Sequence, residues 1–163
     1  MVQVYVSIGS NIDREKNIRS AITVLRDRFG ELSLSSIYET AAVGFDGEAF
    51  YNLVAGFTTD EPVDVIANWL DEVENDHGRD RSGPSFGPRT LDIDLLLVGD
   101  QVSPEFRVPR DEIEKYAFVL GPLAEIAPHG HHPESGKCFA DMWQDFDQAS
   151  QPMKKINKQG VKS

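Results

Sequence analysis

The sequence predicts an α+β domain of the ferredoxin-like type, a mainly antiparallel sheet with helices packed on it. Three observations carry this. Extended and helical patterns follow one another in the order β-α-β-β-α-β, the split βαβ arrangement. Residues 2–8 and 91–98 alternate or run apolar like strands, whereas 14–29 and 63–75 repeat apolar side chains at helical spacing. The 163 residues hold no internal repeat and no linker, which fits one domain over 1–150 followed by a basic tail at 151–163.

The elements follow in order. Residues 2–8 form a first strand that exits through Gly9-Ser10-Asn11, where glycine permits a tight turn. Ile18, Ala21, Ile22, Leu25 and Phe29 then share one helical face over 14–29, closed by Gly30. Glu31 to Tyr38 reads as a second strand, and the glycine-bearing stretch 40–48 as a loop. Phe50 to Thr58 reads as a third strand with Asn52 as a polar intrusion. Pro62 sits well at the start of a second helix whose apolar face is Val63, Ile66, Ala67, Leu70 and Val73. Residues 79–88 carry two Gly-Pro steps and read as a mobile lid, with the 44–49 loop also expected to move. Beyond the strand at 91–98, 101–109 holds a short extended piece ending at Val108-Pro109, 111–120 reads as a helix, 122–126 as one further helical turn and 139–146 as a short helix. The tail after Ser150 is expected to be poorly ordered.

Composition narrows the function. A net charge of −11 argues against a nucleic-acid or anionic-membrane binder. No apolar run is long enough to cross a bilayer, and the N-terminus lacks the pattern of a signal peptide. The single cysteine, Cys138, has no internal disulfide partner and reads as inert, so a cytoplasmic chain is expected. The histidines at 129, 131 and 132 lie in a Gly/Pro loop without a ligand pattern and read as solvated.

The chemistry concentrates in Phe86-Gly87-Pro88-Arg89-Thr90-Leu91-Asp92-Ile93-Asp94-Leu95-Leu96-Leu97-Val98. On a strand Asp92 and Asp94 point to one face, with Leu91, Ile93, Leu95 and Leu97 on the other. Two readings fit the pair: a solvated polar edge, or a site for a hard divalent cation that relieves the repulsion between the carboxylates. Arg89 adds a planar cation suited to phosphate.

Four blocks together resemble the 6-hydroxymethyl-7,8-dihydropterin pyrophosphokinases. They are Ile8-Gly9-Ser10-Asn11; Ser35 to Thr40 with Phe50-Tyr51-Asn52; Gly78-Arg79-Asp80-Arg81 with Phe86 to Leu95; and Val108-Pro109 with Phe118 to Pro128. The resemblance covers residues 2–128 and is most specific in its third block. It implies transfer of pyrophosphate from ATP to the hydroxymethyl group of the pterin in folate biosynthesis, releasing AMP. It implies that Asp92 and Asp94 hold two Mg²⁺ ions and that Arg81 and Arg89 act on the phosphates with them. It implies nucleotide contacts from Glu74, Arg79, Arg89, Leu95 and Arg110. It implies a pterin site in which Phe50 and Phe118 stack on the ring, Asn52 reads its edge and Thr40 to Val43 add backbone bonds. The partners are then ATP and a small pterin, with no nucleic acid and no membrane, and a monomer is expected.

The chain departs from the family where His is usual and Arg110 stands, where Arg is usual and Tyr116 stands, and after Thr40, where Pro is usual. Tyr116 cannot replace a charge. Two other classes therefore stay open: a pterin-binding paralogue with weak or altered phosphotransfer, and a metal-dependent phosphotransferase with another acceptor.

Overall fold

The structure, a computed structural model, describes residues 1–41, 49–78 and 91–156. A six-stranded antiparallel sheet organises it: β1 (Val2–Ser10), β2 (Ser33–Leu34), β3 (Ile37–Thr40), β4 (Phe50–Thr59), β5 (Asp92–Val98) and β6 (Lys154–Ile156). The order across the sheet is β5-β1-β4-β3-β6, with β2 also on β4. That is the predicted split βαβ topology with one strand added at the edge.

Helices cover both faces. On one lie α1 (Arg14–Phe29) and α2 (Val63–Asp76). Ile18, Ala21, Ile22 and Leu25 of α1 and Ile66, Leu70 and Val73 of α2 are buried against Val4, Val6, Ile8, Leu53, Phe57, Ile93 and Leu95. Each of these side chains larger than alanine stabilises the fold by about 1.5–3 kcal/mol. Phe29 stacks on Phe57 at 4.0 Å between centroids and meets Trp69 edge-on at 5.4 Å. Gly30 ends α1 at φ 83°, a conformation that favours glycine.

The opposite face is covered by α3 (Glu112–Lys115), α4 (Ala117–Ile126) and α5 (Phe139–Asp145). Ile113, Val119, Leu120, Leu123 and Phe139 pack there with Val54, Leu96 and Leu97.

The structure corrects five expectations. The second strand is split into β2 and β3, because Ser35 and Ser36 spend their groups elsewhere. Ser35 Oγ accepts from the Val54 N–H, while Ser36 gives its N–H and hydroxyl to Glu125. The stretch 101–109, expected to hold a short extended piece ending at Val108-Pro109, is reduced to a single bridge between Ser103 and Val108 around a 3₁₀ turn at Pro104–Phe106. The helix expected over 111–120 breaks at Tyr116, whose φ −123° and ψ 130° are extended, and α4 then continues through Pro122. The tail is not wholly unordered: Lys154–Ile156 pairs with β3, Ile37 opposite Ile156. And Leu97 does not oppose the aspartates. A bulge opposite Tyr5/Val6 pairs Leu95 with Val6 but Leu97 with Tyr5, so Leu96 and Leu97 both reach the second cluster.

His132 is a sixth difference. It is 2% exposed rather than solvated. Its Nδ1 accepts from the Glu134 N–H at 3.2 Å, so that nitrogen carries no proton and Nε2–H donates to Glu114 Oε1, also at 3.2 Å. A residue that sequence assigns to a wet loop is the latch that holds the loop to α3.

Candidate active site

The site forms where four strand ends meet on the α4 face. Cross-strand neighbours share a face, and the register sets Asn52 opposite Gly9 and Gly9 opposite Asp92. Asn52, Gly9 and Asp92 therefore form one row across β4, β1 and β5. With strands about 4.8 Å apart, the outer two lie about 10 Å from each other. Asp94, opposite Ser7, flanks Asp92 on the same face.

At the β5 end, carboxylate oxygens of Asp92, Asp94 and Glu74 lie within 4.8 Å of one another. Glu74 is 1% exposed. Its Oε2 accepts the Ile93 N–H at 2.8 Å, on the outer edge of β5. Arg110 completes that edge: its Nε donates to the Leu95 carbonyl at 2.9 Å and its N–H to the Leu96 carbonyl at 3.0 Å. An edge strand must satisfy such groups, and here the satisfying side chains are a carboxylate and a guanidinium aimed at one site. Arg110 Nη1 stands 3.9 Å from Asp94 Oδ1 and 3.6 Å from Glu112 Oε1. Burial pushes the Glu112 carboxyl up, the Asp94 charge adds to this, and Arg110 and Arg107 oppose it.

The donor set fits a hard divalent cation. All three donors are carboxylate oxygens, and trans ligands of an octahedral Mg²⁺ are about 4.2 Å apart, so small side-chain movements close the 4.8 Å group. The sequence reading gave Glu74 to the nucleotide and missed it here. The signal was present: Glu74 lies four residues after Leu70 on the apolar stripe of α2, where an acid needs a partner.

At the β4 end, Asn52 is 6% exposed and its Nδ2 donates to Thr40 Oγ1 at 2.7 Å. A Cβ on Gly9 would come within 2.8 Å of Asn52 Oδ1, so only glycine lets this amide lie across β1. Phe50 lies opposite Thr40 and two residues before Asn52, hence on the same face. Phe118 is half-buried at the start of α4, its ring stacked on Tyr116 with centroids 5.0 Å apart. Leu95 is buried, and only its carbonyl turns toward Arg110. Val43, Arg79, Arg81, Arg89, the 79–88 lid and all but Ala49 of the 44–49 loop lie outside the described residues.

Fold and site together define a class: an α+β domain whose sheet ends in a group of three carboxylates that could hold a divalent cation, beside a row of polar and aromatic side chains. The profile of 7,8-dihydro-6-hydroxymethylpterin-pyrophosphokinase (HPPK) matches residues 5–128, and the chain belongs to that family. A relative from Bacillus subtilis (strain 168), named 2-amino-4-hydroxy-6-hydroxymethyldihydropteridine pyrophosphokinase, is 36% identical over 128 residues, 75% of this chain and 76% of the relative. One of the same name from Pseudomonas aeruginosa is 36% identical over 143 residues, 82% of this chain and 86% of the relative. Among solved structures, an HPPK-DHPS in complex with substrates superposes with a TM-score of 0.66 at 9% identity. The wild-type HPPK-DHPS of Plasmodium falciparum superposes with 0.63 at 10% identity. At those identities the likeness speaks for the fold, and the chain spans only 45% and 44% of those two chains. Among the described residues no helix is long and apolar enough to cross a membrane.

Proposed function

We propose that this chain transfers the pyrophosphoryl group of ATP to the hydroxymethyl oxygen of 6-hydroxymethyl-7,8-dihydropterin, releasing AMP, as a step of folate biosynthesis. The observation that carries the reading is the three-carboxylate group of Glu74, Asp92 and Asp94, whose Asp92 shares a row with Asn52, inside the family-matched residues. In the reaction the hydroxymethyl oxygen bonds to the β-phosphorus, and the bond from that phosphorus to the oxygen bridging to the α-phosphate breaks. The bridging oxygen leaves with AMP, and the hydroxyl proton passes to solvent.

Asp92 and Asp94, joined by Glu74, would hold Mg²⁺, two ions in this reading. Bound there, the metal supplies neutralisation of the phosphate oxygens and alignment of attacking and leaving groups. The chain's own residues do the rest. Arg110 is already held by Leu95 and Leu96, so its guanidinium is oriented for phosphate at little entropic cost. Arg79, Arg81 and Arg89 add phosphate contacts, and Leu95 contributes through the carbonyl that holds Arg110. Phe50 and Phe118 stack on the pterin ring while Asn52, Thr40 and Val43 read its edge. The enzyme works as a monomer in the cytoplasm. A pure pterin-binding paralogue has no use for the carboxylate group, so the structure favours the enzyme.

The test is AMP release. The protein with ATP, Mg²⁺ and the pterin should form AMP, and D94A should lower the rate by at least about 10²-fold, the usual size of one lost charge-stabilising group. AMP at the same rate in both proteins would sink the reading.

A further inference from the structure

Tyr116 lies at a helix break and has its ring on Phe118. Residues two apart on a helix do not face each other. Tyr116 and Phe118 do, with ring planes 19° apart, because Tyr116 is extended and α4 begins only at Ala117. The break is what permits the stack.

Such a break leaves orphan backbone groups, among them the last carbonyl of α3 and the first N–H of α4. One side chain satisfies both. Gln151 donates from Nε2 to the Lys115 carbonyl and accepts at Oε1 from the Ala117 N–H, each at 2.9 Å. Gln151 is itself held in place: three residues on, β6 pairs with β3, and Met153 lies against the bare Gly121 of α4, where an added Cβ would come within 2.9 Å of its Cε. The residues that hold the break, Gln151, Met153 and β6, lie beyond residue 128, where the family profile ends.

We propose that Tyr116 and Gln151 are positioning residues for the Phe118 ring, and through it set the affinity for the flat heteroaromatic acceptor. This rests on the reading above that Phe118 stacks on the pterin. It gives Tyr116 a role in place of the cation that its family usually carries there: the phosphate loses a partner, and the acceptor ring gains a second layer behind the first.

The experiment measures pterin affinity by calorimetry, and KM for both substrates, in Y116A, Y116F, Q151A and F118A. One lost aromatic stack or one lost helix cap corresponds to about a two- to tenfold change. Y116A and Q151A should weaken pterin binding by that factor and leave kcat and the ATP KM unchanged, and Y116F should match the wild type. Weakened binding in F118A with none in Y116A and Q151A would overturn the positioning role and leave the Phe118 reading standing. Unchanged binding in F118A would remove that reading and the proposal with it. A loss shared equally by both substrates, in step with a lower melting temperature, would mark Tyr116 and Gln151 as structural only.

Discussion

Gly9 touches both ends of the site. Its strand neighbours are Asn52 on one side and Asp92 on the other, and its missing side chain leaves room for the Asn52 amide. Substituting alanine forces a Cβ to 2.8 Å from Asn52 Oδ1, so the amide must swing off Thr40. A displacement of about 1 Å in a positioning group can cost about 10²-fold in turnover. G9A is therefore expected to lose most of kcat/KM for the pterin while its melting temperature stays within a few degrees. Kinetics beside thermal melting check this. The glycine was visible in the sequence as a turn residue, and its role is different: it lies inside β1, and the constraint comes from a strand 43 positions away in sequence, as Gly9 and Asn52 show.

Strand β5 and helix α4 carry the site's two halves, and each was readable only in part. Alternation put Asp92 and Asp94 on one face, and so they lie. It also put Leu97 on the other face, and the bulge reverses that residue. No local signal marks a bulge inside Leu95-Leu96-Leu97, because three leucines look alike to any periodicity. For α4, apolar spacing revealed the helix but not its start, since the break at Tyr116 is held by Gln151 from 35 positions further along, as their numbers show. The packing of α4 gives an element-scale prediction. A Cβ on Gly121 would meet Trp143 Cη2 at 3.0 Å as well as Met153. Gly121→Val overfills that contact and should cost about 2 kcal/mol, read as a lower urea midpoint. An unchanged midpoint would show that α5 and the C-terminal segment yield freely.

At the scale of the molecule, the two layers over the α4 face are clamped by Glu125. Its carboxylate takes the Ser36 N–H, the Ser36 hydroxyl at 2.8 Å and the Tyr38 hydroxyl at 2.7 Å, tying α4 to β3. Burial pushes this carboxyl up, but the bonds from Tyr38 and Ser36 and the charge of Lys155 outweigh it and hold it below its ordinary 4.5. Burial, with Glu125's bond and charge, pushes the Tyr38 hydroxyl well up. A lowered acid contributes stability that is present above its ordinary value and lost as pH falls through its folded value. The melting temperature should therefore drop as pH falls below 4.5, and drop less in Y38F, where the largest opposing bond is gone. Equal acid slopes for the two proteins would remove Glu125 from the account. Tyr38 is neutral throughout that range, so the difference isolates the carboxylate.

By itself the sequence determined the order of strands and helices, the same-face aspartates and the family, because periodicity and motif are local properties of the chain. It also carried the chemistry of Asn52 and Thr40 as residue types. Only the tertiary structure decided that Glu74 joins Asp92 and Asp94, that His132 is buried against Glu114, that the tail returns as β6 and that Gln151 holds the Tyr116 break. Each of these is a contact between residues far apart in sequence. Such a contact is set by which faces must be buried and which edge groups must be satisfied, and those demands exist only once the sheet has formed.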